Sequence, residues 1–91
     1  MIKEMITAII AEVKKNPQHV LDQFVHGASE DENKEMVSAA TDPNNWSIHG
    51  GADRLPGTVE FCFDCEPFDD QLRAYVFLKD YNIVRVRIQG E

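Results

Sequence analysis

Apolar residues in the first fifteen positions recur at helical spacing. Ile2, Met5, Ile6, Ile9, Ile10 and Val13 make a stripe flanked by Lys3, Glu4, Glu12, Lys14 and Lys15, the pattern of a helix with one buried face. Asn16-Pro17 ends that helix and begins another: Asn caps a helix start well, and Pro at the first helical position lacks only a donor that would be unpaired there. The second helix is expected to bury Val20, Leu21, Phe24 and Val25 and to stop at Gly27. Ser29 followed by Glu32 is a capping-box signature. It predicts a third helix running to about Ala40, with Glu30 and Asp31 in the first turn, where negative charge complements the helix dipole.

After Asp42-Pro43 the period shortens to two. Residues 46–49 alternate and meet Gly50-Gly51, predicting a short strand that stops at the glycines. Over 58–66 the alternation sets Val59, Phe61, Phe63 and Cys65 on one side against Thr58, Glu60, Cys62, Asp64 and Glu66 on the other. A turn at 67–71 separates this strand from two more at 72–79 and 83–88, joined through Asp80-Tyr81-Asn82. The last strand is expected to bury Val84, Val86 and Ile88 and to expose Arg85 and Arg87. Helices followed by consecutive strands predict an α+β domain, with N-terminal helices packed on one face of a three- or four-stranded antiparallel meander. Residues 1–91 read as a single domain, helical over 1–41 and mainly sheet over 46–89, with no repeat and no linker.

Composition limits what such a domain does. The chain has 91 residues with 9 Lys and Arg against 16 Asp and Glu, a formal net charge of −7. A field of that sign repels phosphate and argues against direct nucleic-acid or anionic-membrane binding. The apolar run at 5–11 is bounded by Glu4 and Glu12, too short for a signal sequence or a membrane span. Two cysteines supply no disulfide framework, so the expectation is a soluble protein of a reducing, cytoplasmic compartment. Small size, acidity and few thiols argue against a self-sufficient enzyme.

Candidate chemistry is sparse. Cys62 and Cys65 have the spacing of a metal or redox pair, but a zinc site needs four ligands and residues three apart on a strand point to opposite faces. The expectation is two small strand residues with no metal and no cofactor. Ser47, His49 and Asp53 can be written as a nucleophilic triad, yet triads are defined by assembled geometry, and no nucleophile-elbow sequence is present. No catalytic residue is assigned.

Charge distribution carries more information. Between Asp22 and Asp70 twelve acids face only Lys34 and Arg54, which predicts an acidic surface formed by the third helix and the turn around Pro67. Such a surface steers toward a basic partner, and a nucleic-acid-binding protein or nuclease, whose groove is built for phosphates, is one. Alternate strand residues stand ~6.6 Å apart, so Glu60, Asp64 and Glu66 are expected to make a row of anions resembling a short phosphate track. The expected partner-binding residues are Glu30, Asp31, Glu32, Glu35, Asp64, Glu66, Asp69 and Asp70.

In length, in acidity and in its clusters at Glu30-Asp31-Glu32 with Glu35 and at Asp64, Glu66, Asp69 and Asp70, the chain resembles small phage-encoded antagonists of the DNA-mimic type, such as the anti-restriction proteins of T-even phages. The resemblance spans the whole chain but rests on no specific motif, so no functional residue is carried over. It implies a non-enzymatic, stoichiometric inhibitor of a DNA-binding or DNA-cleaving protein such as a host restriction nuclease. An alternative starts from Cys62, Tyr75 and Phe77, placed on the sheet side away from the helices. There Tyr75 and Phe77 form a partner or homodimer contact and the acids only solubilise, or the apolar residues are a cluster packed under a loop.

Overall fold

Three helices lie on one face of a four-stranded sheet. The computed structural model describes residues 1–24, 29–53 and 57–89, the side chains of Asp69 and Asp70 excepted. Val25 and Gly27, expected to close the second helix, lie outside the described residues.

The stripe of the first helix, α1 (Ile2–Lys15), becomes a seam one turn apart: Met5, Ile9 and Val13 are buried, while Ile6 and Ile10 pack beside them. Asn16 then stands between α1 and α2 (Pro17–Leu21). Its side chain makes no capping bond; its backbone carbonyl accepts from the His19 amide, and its own amide donates to Glu12. Helix α3 (Glu30–Ala40) has the reciprocal cap that its sequence spells. The Glu32 amide donates to Ser29 Oγ at 3.2 Å and the Ser29 amide to Glu32 Oε1 at 3.4 Å. Only Ala40 of α3 is fully buried, so this helix depends more on its ends than on packing. Ser29→Ala is therefore expected to cost about 1 kcal/mol and to lower Tm by about 4–8 °C. A scan with no resolvable shift would show that the cap carries no stability.

The sheet runs in sequence order, with β1 (Trp46–Asp53), β2 (Thr58–Cys65), β3 (Arg73–Lys79) and β4 (Asn82–Ile88) paired antiparallel. Helix α1 rests chiefly on β4. Between helices and sheet, Trp46, Phe63, Cys65, Leu72, Ala74, Val76 and Ile88 join the α1 seam and Val20 in one core. Trp46 also ties the layers together: its Nε1 donates to the Ala40 carbonyl at 2.8 Å, inside the core.

Two bulges alter the expected strands. β1 does not stop at the glycines. His49 is an extra residue between Ile48, opposite Phe63, and Gly50, opposite Cys62, and pairing continues to Asp53. A Cβ on Gly51 would stand 2.8 Å from the Phe61 ring, so here glycine marks a close approach within a strand rather than its end. On β4 the register slips between Phe77, opposite Arg85, and Leu78, opposite Ile83. Val84 is the residue left over and is 58% exposed; Ile83 packs on the core in its place. The β3–β4 hairpin closes through Asp80 and Tyr81, with φ of 52° and 68°, the left-handed pair that matches strand twist in a two-residue turn.

Candidate interaction surfaces

Four of the predicted acids sit together on α3. Glu30, Asp31, Glu32 and Glu35 are all exposed, and the first three occupy the opening turn. Glu32 also serves the cap, a structural duty that leaves its carboxylate at the surface. Glu66 is exposed at the start of a 3-10 segment, Glu66–Gln71, between β2 and β3. That segment touches the helical layer, because the Phe68 ring packs on Phe24 with centroids 4.8 Å apart, next to α2, which in turn packs on α3. Asp69 and Asp70 belong to the same segment, but their side chains lie outside the described residues.

The anion row on β2 does not form. β2 ends at Cys65, so Glu66 leaves the strand and its alternation. Glu60 is only 9% exposed. Asp64 is neutralised: Arg73 Nε donates to its Oδ1 at 2.9 Å, and His49 Nδ1 stands 3.0 Å from its Oδ2. Cross-strand register explains this, since Asp64 faces Arg73 on β3 and Ser47 on β1, with the bulged His49 beside them. A carboxylate in two such contacts is a poor stand-in for a phosphate seeking a cation. The same geometry dissolves the triad of Ser47, His49 and Asp53, because the carboxylate held by His49 is Asp64.

The outer sheet face is cationic and aromatic rather than apolar. Arg87 lies over the Tyr75 ring at 4.5 Å from its centroid and Arg85 over Phe77 at 5.7 Å. Each pair faces directly across β3 and β4. The guanidinium groups cover the rings expected to form a partner or homodimer contact, so Tyr75 and Phe77 present cation–π stacks instead of bare hydrocarbon. Pairing Tyr75 and Phe77 with Arg85 and Arg87 was legible only with the β4 register in hand.

The cysteines diverge. Cys65 is fully buried in the core, while Cys62 lies half-buried on the outer face opposite Gly50 and Tyr75. Burial raises the Cys62 thiol above its ordinary range, with the Asp64 charge adding to it. For Cys65 burial pushes the thiol up to about 12, helped by the Asp42 and Glu66 carboxylates. Both are thiols rather than thiolates at neutral pH, the opposite of what nucleophilic or metal-binding sulfur requires. Among the described residues no three His, Cys, Asp or Glu side chains come together to hold a metal ion, and no helix is long and apolar enough to cross a membrane.

Sequence reasoning missed a surface on which exposed hydrocarbon collects. Met1, Ile2, Ile48 and Tyr81, each at least 40% exposed, border one cavity between the start of α1 and the β1–β2–β3 end of the sheet. Comparison with known proteins finds no match: no family model, no curated protein and no solved structure aligns with this chain.

Proposed function

We propose that this protein is a non-enzymatic acidic inhibitor that imitates the charge of DNA and occludes the nucleic-acid groove of a DNA-binding or DNA-cleaving protein. The observation that carries the reading is a cluster of exposed acids on one helix. Glu30, Asp31, Glu32 and Glu35 are exposed on α3 and make no ion pair among the described residues. The cations of β3 and β4 (Arg73, Lys79, Arg85 and Arg87) occupy strand positions on the opposite side of the sheet from the helices. Helices α1 and α3 also carry Lys3, Lys14, Lys15 and Lys34, but none of these pairs with the α3 acids among the described residues, and an exposed acidic cluster of that kind accelerates and selects encounters with a basic surface. Glu66, exposed on the 3-10 segment, is a further acid for the same partner in this reading. Asp64 does not contribute, being held by Arg73 and His49.

The test uses the whole chain, immobilised and exposed to a lysate of its source cells. A DNA-binding protein captured at about 50 mM salt should be released at about 200 mM, the steep dependence expected of a phosphate-like contact, and also by added duplex DNA. The variant carrying Glu30→Gln, Asp31→Asn, Glu32→Gln and Glu35→Gln should capture at least tenfold less, since each exposed charge pair contributes up to about 1 kcal/mol. Capture that is indifferent to duplex DNA, or to the four neutralised acids, would overturn the reading.

A further inference from the structure

The helical layer stops short of the sheet. α1 rests chiefly on β4, while Ile48, Val59, Phe61 and Leu78 of β1–β3, with Met5 at the back, wall a cavity of about 590 Å³. Gly51, across from Phe61, leaves room for that ring: a Cβ there would meet it at 2.8 Å. Of the five large hydrophobic residues exposed among the described residues, four (Met1, Ile2, Ile48 and Tyr81) line this cavity, and Val84 is the fifth. A convergence of that kind is what singles out a binding patch from scattered surface hydrocarbon.

The chemistry of the lining narrows the occupant. Small-molecule sites set a few polar groups among apolar ones to fix a ligand's orientation; here Asp80 is the one residue of the lining with a polar side chain apart from the Tyr81 phenol. Asp53, opposite Val59 in register, adds a second exposed carboxylate on the same sheet face. The Met1 ammonium is already paired with Glu4 at 2.7 Å, and among the described residues Asp80 and Asp53 are the carboxylates beside the groove. Met1 and Met5 supply unbranched, polarizable walls that adapt to differently shaped side chains. We infer that this groove docks a segment of a partner protein in which two or three large apolar side chains are flanked by lysine or arginine. The apolar residues fill the cavity, and the flanking cations meet Asp80 and Asp53. The site is separate from the α3 acids and does not rest on the inhibitor reading.

Fluorescence anisotropy on the full chain tests it, with a labelled synthetic peptide of alternating leucine and lysine clusters, a scrambled peptide of the same composition and a leucine–glutamate analogue. The leucine–lysine peptide should bind saturably, one per chain, and the other two at least tenfold more weakly. Ile48→Asn and, independently, Ile2→Ser should each weaken binding about tenfold, the effect of losing one buried aliphatic anchor. Asp80→Asn, which keeps a side chain tolerant of the left-handed turn, should weaken it about two- to fivefold. Both exposed positions leave the core intact, and circular dichroism confirms folding; Ile2→Ser carries the test if Ile48→Asn fails to fold. The variant with four neutralised α3 acids should bind the peptide as the parent does, so this site and the inhibitor reading fail separately. Equal binding of the scrambled peptide, loss of binding on neutralising α3 but not on Ile48→Asn, or a dimer in sedimentation that Ile48→Asn dissolves would each overturn the proposal. A neutral naphthyl probe bound in the groove with no peptide bound would do the same.

Discussion

Trp46→Ala is expected to remove about 3–5 kcal/mol of stability. The ring is 3% exposed at the head of β1, and its deletion opens a cavity in the shared core. The second part of the loss is polar. The Ala40 carbonyl at the end of α3 accepts from the indole nitrogen at 2.8 Å in the core, and a buried acceptor left without its donor costs about 1–3 kcal/mol. Small domains have about 5–15 kcal/mol in all, so the variant should unfold at much lower urea. Trp46→Phe separates the two contributions, retaining most of the apolar area and forfeiting the hydrogen bond. Because Trp46 is the sole tryptophan, unfolding must be followed by circular dichroism. A midpoint for Trp46→Ala equal to that of the parent would show that α3 is not anchored through this residue.

At alkaline pH the domain should fail through Cys65. The unfolded thiol ionises near 9, whereas the folded one, walled off from water and facing the Asp42 and Glu66 carboxylates, holds its proton to about 12. Below pH 9 both states are protonated and nothing is lost. Between 9 and about 12 the unfolded state binds fewer protons than the native one, so stability falls as pH rises, by about 1.4 kcal/mol for each pH unit crossed. Urea midpoints measured from neutral pH to pH 11 should decline along this limb. Cys65→Ala, although it starts less stable, should show a flatter limb. Parallel limbs would mean that another group governs alkaline unfolding. In the native state at neutral pH iodoacetamide should modify Cys62 well before Cys65, whose alkylation waits on unfolding.

How much of this was legible in the sequence depends on whether the signal is local. The α1 stripe, the Ser29–Glu32 cap and the Val59–Phe61–Phe63–Cys65 alternation are local, and each appears as its spacing dictates. The strand ends were misread where a single inserted residue changes the phase: His49 carries β1 through Gly50 and Gly51, and Val84 yields the core to Ile83. No pattern along the chain announces a bulge. The candidate surfaces were less legible still. Clustering of Glu30, Asp31, Glu32 and Glu35 follows from helix geometry, but the neutralisation of Asp64 is a property of cross-strand register. The groove is set by how far α1 reaches over the sheet, a tertiary fact that no local pattern encodes.

The placement of α1 on β4 also orders the making of the protein. Each hairpin of the meander joins neighbours in the chain and needs only a short loop to close. The helix made first, however, finds its main seat on the strand made last, with Ile88 completing the core that Met5, Ile9 and Val13 began. Until β4 is free to pair, the chain therefore carries its apolar seam uncovered, and closure of this domain is a long-range docking step.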